Sequence, residues 1–173
     1  MPFTAMPNIL VTGTPGSGKS HLSKILADEF TLKHQDVADI VQKHNFLDGY
    51  NENLDMPILD EKKLISFLSP IVQTGGNIVE YHSAEYFPAR WFQLVLVVRC
   101  DTNVIFKRLE HKGYSSRKIQ QFVEMEIFQL ALDEARSRFN RDIVHEVRCE
   151  NDEDTEKCVN FVQNFLDKWN LKY

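Results

Sequence analysis

The octapeptide Gly13-Thr14-Pro15-Gly16-Ser17-Gly18-Lys19-Ser20 satisfies the pattern Gly-x-x-x-x-Gly-Lys-Ser/Thr at every fixed position. Glycines at these places let successive backbone N–H groups wrap an oligophosphate, and a helix that starts at the lysine adds its positive end beneath it. In such a loop Lys19 bridges the β- and γ-phosphates and the Ser20 hydroxyl ligates Mg²⁺. That chemistry needs a strand before the loop and a helix after it. Asn8-Ile9-Leu10-Val11-Thr12 is a short apolar run, and His21 to Phe30 places Leu22, Ile25 and Leu26 on one helical face.

Further elements must build the sheet on which this loop sits. Thr31 to Asp36 has room for a brief strand, and Val37 to His44 reads as a helix. Asn45 to Leu59 shows no sustained period and reads as loop, punctuated by Asp48-Gly49-Tyr50 and Met56-Pro57. Asp60 caps a helix running to Gln73, ended by Thr74-Gly75-Gly76. Asn77 to Tyr81 is the next strand, and Leu94-Val95-Leu96-Val97-Val98 a strand buried on both faces. Asp101 or Thr102 caps a helix that stops at Gly113. From Ser115 or Ser116 the spacing of Ile119, Val123, Ile127, Leu130 and Phe139 predicts one long helix to about Arg141. Ile143 to Val147 is the last strand. An amphipathic helix from Asp152, bearing Val159, Val162, Phe165, Leu166 and Trp169, closes the chain as core packing. The alternation predicts a three-layer α/β fold with a parallel five-stranded sheet, whose ligands sit at the carboxyl ends of the strands.

Composition narrows the classes. A chain of 173 residues, 43% hydrophobic and 26% charged, reads as one globular domain over residues 1–173. A net charge of −5 argues against a free-standing nucleic-acid binder, and no direct sequence-specific contact to nucleic acid is expected. Cys100, Cys149 and Cys158 form no Cys-x-x-Cys pair, which suggests neither a disulfide framework nor a zinc site. Met1 to Met6 is too short for a secretory signal, and no run approaches the ~20 apolar residues of a membrane span. Nucleus and cytoplasm are the expected locations. No Asn/Thr-Lys-x-Asp follows a strand and no Asp-x-x-Gly switch follows the second, so an ATP enzyme is expected over a GTPase.

Several stretches together carry a family resemblance. They are Pro7 to Gly16, Asp48-Gly49-Tyr50, Pro57-Ile58-Leu59-Asp60-Glu61, Tyr81-His82, Phe87-Pro88, Arg90-Trp91, Arg99, Asp101-Thr102-Asn103-Val104, Arg108-Leu109-Glu110, Gly113-Tyr114, Glu126-Ile127-Phe128-Gln129 and Ile143-Val144-His145. On these residues the chain resembles the atypical adenylate kinases of the isoenzyme six, or coilin-interacting nuclear ATPase, type. The resemblance implies a nucleoside monophosphate kinase-like phosphate-loop fold, ATP and Mg²⁺ as cofactors, and AMP or another nucleoside monophosphate as acceptor. It also implies ATPase activity, a role in small ribosomal subunit (18S rRNA) maturation, and a small-subunit ribosomal protein as partner. It puts the acceptor segment at about 36–59 and a short lid at about 111–121. Gly13, Gly16, Gly18, Lys19, Ser20 and His21 lie around the ATP phosphates, with Arg108 and Lys112 closing over ATP. Glu80 stands at the acidic position that organises Mg²⁺, and His82 at the histidine of the phosphoryl-transfer chemistry.

The chain departs from the family pattern near this chemistry. Glu80 replaces the usual Asp. Gln42 stands where an arginine would clamp the acceptor phosphate, leaving Lys43 as the nearby cation. Lys112 replaces an arginine of the lid, and Ser83-Ala84-Glu85, Ala89 and Phe122 also differ. An ATP-driven assembly factor with weak or no AMP kinase activity is therefore the competing reading. On position alone, His82 reads equally as a loop histidine satisfied by a carbonyl, His21 as a helix-surface residue, and Arg108 with Lys112 as a solvated basic face. Trp91 and Phe92 read as core, Cys100 as a small buried hydrophobe, and the acidic run Glu150 to Glu156 as a solvated helix start.

Overall fold

Five strands without Pro, one of them apolar from Leu94 to Val98 and another from Ile9 to Val11, give the chain a central parallel sheet. In a computed structural model that describes residues 6–53 and 55–172, these are β1 (Ile9–Gly13), β2 (Lys33–Asp36), β5 (Asn77–Glu80), β6 (Leu94–Arg99) and β7 (Val144–Arg148), in the order β2-β5-β1-β6-β7. The expectation for Met1 to Met6 falls, but for Met6, outside the described residues. Every residue of β1 is buried, as are Leu94 to Val98 of β6, which is what a strand covered on both faces requires. Helices α1 (Lys19–Phe30) and α7 (Asp152–Lys172) cover one face, where Leu22, Leu26, Val162 and Leu166 meet Ile9, Val11, Ile78 and Leu96. On the other face α2 (Val37–His44), α3 (Glu61–Gln73) and α6 (Leu130–Arg138) bury Val37, Leu64, Leu68 and Leu132 against Leu10, Val79 and Val95.

The strand ends differ in what they hold. At the amino end, buried Asn8 and Asn77 satisfy each other and their neighbours: Asn77 donates through its backbone N (3.1 Å) and Nδ2 (2.9 Å) to Asn8 Oδ1, and Asn8 Nδ2 donates to the Val72 carbonyl at 2.8 Å. At the carboxyl end sits the loop 13–20, with α4 (Thr102–His111) beside it. There Ile105 and Leu109 form a separate small core with Ile119 and Phe122 of α5 (Ser116–Ile127). Trp91, Phe92 and Cys100 are buried, as expected of core residues.

Two segments differ from the sequence expectation. Asn45 to Leu59 is not irregular: β3 (Leu47–Asn51) and β4 (Met56–Leu59) form an antiparallel hairpin, irregular between Leu47 and Tyr50. Most of its side chains are exposed, so no apolar alternation marks it in the sequence. The long helix after Ser115 is two helices, α5 and α6, broken at Gln129, whose φ of 57° and ψ of 36° are left-handed. No Gly or Pro signals the break. It arises because α5 packs on α4 whereas α6 packs on the sheet through Ala131, Leu132 and Ala135. Ile127 and Leu130, two of the residues whose spacing predicts one continuous helix, flank the break at 59% and 41% exposure.

Candidate functional site

The loop's backbone is fixed by what surrounds it. A Cβ on Gly13 would lie 2.7 Å from the Val98 carbonyl oxygen and 2.8 Å from Ser17 Oγ, so only glycine allows the loop to leave β1 this close to β6. Gly18 has φ 104°, and a Cβ there would stand 3.1 Å from the Cys149 carbonyl oxygen and 3.2 Å from Arg108 Nη1. Gly18 is also the N-cap of α1 and provides no side-chain acceptor, whereas α2, α3, α4 and α5 are capped by Asp36, Asp60, Asp101 and Ser115. The first N–H groups of α1 therefore lack the side-chain acceptor those helices use. Ser17 Oγ, fully buried in the loop, has no partner among the described residues.

A cavity of about 570 Å³ opens over this backbone, lined by Gly16, Gly18, Lys19, Ser20, His21, Lys107, Arg108, His111, Lys112 and Cys149. It collects every residue expected to hold ATP except Gly13, whose part is the close approach to β6. Arg108 does not wave over the cavity. Its Nη1 donates to the Gly16 carbonyl at 3.1 Å and its Nη2 to the Cys149 carbonyl at 3.4 Å, clasping the loop to the segment after β7. The guanidinium of Arg108 is thus already engaged with main-chain carbonyls, while exposed Lys112 has no such side-chain bond among the described residues. His21 is exposed on the cavity rim. The reading of Arg108 and Lys112 as one solvated basic face is set aside for Arg108 by these two bonds.

The parallel register of β1 and β5 places Glu80 beside Val11, two residues before the loop. One Glu80 oxygen accepts from the Ser20 hydroxyl and the other meets His34 Nε2 at 2.8 Å. Burial pushes the Glu80 carboxyl up, but the bonds from His34 and Ser20 and the charge of Lys19 outweigh it and hold the group below its ordinary value. Burial pushes the Lys19 ammonium down to about 8; Glu80 and Asp36 pull it back up, and Lys112 pushes it further down. His82 follows β5. Burial first, and Lys19 second, push its imidazole down to about 4, so it is neutral at physiological pH. Its ring packs against Tyr81 at 4.2 Å, and it makes no hydrogen bond to a loop carbonyl among the described residues. Ser20, Glu80, Lys19 and His82 thus form one electrostatic group at the carboxyl ends of β1 and β5.

Four residues escaped the sequence reading. Lys107, His111 and Cys149 line the cavity, and His34 holds Glu80. Lys107 and His111 carry a usable signal, since they are four apart on the helix that bears Arg108 and Lys112. His34 and Cys149 carry none, because only the β2–β5 pairing and the return of the chain after β7 bring them to the loop. In the segment expected to receive the acceptor, Gln42 is exposed and Lys43 pairs with Asp39 of its own helix at 3.0 Å.

Comparison with known proteins bears on the family and the fold. A family model described as an AAA domain matches residues 9–129. The "Adenylate kinase isoenzyme 6 homolog" of Drosophila melanogaster is 42% identical over 166 residues, covering 96% of this chain and 95% of that one. The homologue of the same name in Dictyostelium discoideum is 38% identical, covering 94% and 93%. Among solved structures, a shikimate kinase from Acinetobacter baumannii superposes with a TM-score of 0.63 at 12% identity over 96% of each chain, a likeness of fold. Identity at this level across almost the whole chain, on a fold built around an intact phosphate loop, makes the protein a member of the adenylate kinase isoenzyme 6 family and an adenylate-kinase-like nucleotide kinase.

Proposed function

We propose that the protein, acting as a single kinase unit over residues 1–173, transfers the γ-phosphoryl group of ATP to AMP and related nucleoside monophosphates, and hydrolyses ATP when water takes the acceptor's place. The convergence of Lys19, Ser20, Glu80 and His82 on one edge of the sheet carries this reading. The donor set fits ATP with Mg²⁺: uncapped N–H groups and glycines at positions where a Cβ would crowd its neighbours suit phosphate, and a hydroxyl paired with a carboxylate suits a hard cation. No group of three or more His, Cys, Asp or Glu side chains able to hold a metal occurs among the described residues, so Ser20 and Glu80 would share the ion with phosphate oxygens and water. Bound there, Mg²⁺ supplies charge neutralisation for the transferring phosphoryl group.

The chain's own residues do the rest. Gly13, Gly16 and Gly18 shape the cradle, Lys19 neutralises the phosphates, and His21 and Lys112 approach from the rim. Arg108 holds the cradle's carbonyl side, which keeps its N–H groups turned toward the ligand. Neutral His82 orients the attacking oxygen by a hydrogen bond. Segment 36–59 receives the acceptor, and residues 111–121, the turn from α4 into α5 with the first half of α5, act as lid.

A second reading is favoured by the acceptor side. With Gln42 exposed and Lys43 engaged by Asp39, neither of these positions offers a bidentate cation to an acceptor phosphate. On this reading the main acceptor is water, and hydrolysis times the release of a small-subunit ribosomal protein in nucleus and cytoplasm, as the family resemblance implies. Chromatography of nucleotides after Mg²⁺-ATP is incubated with and without AMP separates the two, with Lys19→Ala as the contamination control. Two ADP per ATP and AMP consumed support the transferase; ADP and phosphate at a rate indifferent to AMP support the ATPase.

A further inference from the structure

β2 lies outside the phosphate-loop motif, yet its second residue touches the loop's acidic partner. In the parallel pairing of β2 with β5, His34 stands opposite Ile78 and Asp36 opposite Glu80. Residues two apart on a strand share a face, so His34 and Asp36 stand on the side of the sheet that bears Glu80 and is covered by α1. Two carboxylates directly opposite each other repel. Here the Asp36 carboxylate is drawn away to cap α2, accepting from the Asp39 backbone N at 3.3 Å, while His34 reaches diagonally to Glu80. The pair lies 2.8 Å apart, with side chains 19% and 5% exposed. An ionised carboxylate only accepts, so His34 Nε2 carries the donated proton. The other Glu80 oxygen accepts from Ser20 Oγ, so both oxygens of the carboxylate are held.

Glu80 occupies a place where the family pattern has aspartate. The extra methylene adds a rotatable bond, and immobilising it on each encounter with a cation would cost affinity. We infer that His34 is a positioning residue: it clamps one oxygen of Glu80 so that the other stays at Ser20, giving the longer carboxylate the fixed placement a shorter one has from its own backbone. The inference rests on the reading of Ser20 and Glu80 as the Mg²⁺ side chains. Partners that orient metal ligands typically change metal affinity by 10–100-fold.

The test counts free Mn²⁺ by electron paramagnetic resonance while the full chain is titrated in the presence of a non-hydrolysable ATP analogue. His34→Leu is expected to weaken Mn²⁺ binding about tenfold, leaving analogue binding in EDTA unchanged. His34→Gln, which keeps an N–H at about the reach of Nε2, should restore most of it. On a Glu80→Asp background, His34→Leu should change Mn²⁺ binding less than about twofold. If His34→Leu melts poorly, His34→Asn, which falls short of Glu80, takes its place under the same criteria. Unchanged Mn²⁺ affinity in the His34 variant, while Glu80→Gln weakens it, overturns the clamp alone. Unchanged affinity in Glu80→Gln overturns the metal reading, and the clamp with it.

Discussion

The two halves of the site are built to different standards. On the donor side, main-chain geometry, a clasping arginine and a held carboxylate are in place together: Arg108 spans Gly16 and Cys149, and Glu80 is bonded by both Ser20 and His34. On the acceptor side, α2 and the β3–β4 hairpin offer exposed side chains, with Gln42 uncharged and Lys43 tied to Asp39. Phosphoryl transfer depends on positioning and charge. On the proposed function, a protein organised in this way is expected to hold ATP firmly and to treat its acceptor loosely.

The largest way to break the contrast is through Lys19. Lys19→Ala should lower ATP turnover by ~10³-fold with either acceptor, measured as ADP formation, because it removes the cation from the preorganised half. His82→Ala should cost on the order of 10²-fold in turnover with little change in nucleotide affinity; unchanged turnover would remove His82 from the mechanism. The pH profile comes next. With Lys19 held down at about 8, a bound polyphosphate favours its ammonium, so kcat/KM for Mg²⁺-ATP should fall about tenfold per unit above pH 8. His82 works the other way, on stability. Its imidazole titrates at about 4 folded against ~6.5 unfolded, so its contribution is complete above pH 6.5 and is lost as the pH falls toward 4. A thermal melting series over that window reads it.

Sharpening the contrast takes a gain. Gln42→Arg should raise AMP-dependent turnover about tenfold, by supplying a charged fork worth ~1.5 kcal/mol, and leave ATP hydrolysis alone. The smallest effect on turnover is expected far from both halves, at the amino end of the sheet. Asn77→Ala removes the three bonds that Nδ2 donates to Asn8 Oδ1 and to the Ile71 and Gly75 carbonyls and leaves only the backbone bond to Asn8 Oδ1, so it should destabilise by about 2 kcal/mol in denaturant titration while turnover stays within about twofold.

Legibility in the sequence follows the same division. The donor loop is contiguous, and its glycines, lysine and serine are required by one local geometry, so eight residues sufficed to locate it. β1, β5 and β6 were readable because their burial leaves apolar runs. The hairpin was not, since its residues face solvent and its pairing is irregular between Leu47 and Tyr50. Nor was the break at Gln129, where tertiary packing decides the direction of two helices whose local propensities are continuous. Arg108 lines the cavity, but its bonds to Gly16 and Cys149 required the fold. His34 and the Asn8–Asn77 pair belong to the same class: polar residues whose partners lie 46 and 69 positions away.

Separate calorimetric titrations of one preparation with a Mg²⁺-bound, non-hydrolysable ATP analogue and with AMP test the central claim most directly. A preorganised donor half and a loosely built acceptor half predict a dissociation constant at least tenfold lower for the analogue, a gap of about 1.4 kcal/mol. AMP binding as tightly as the analogue, or more tightly, would contradict the account.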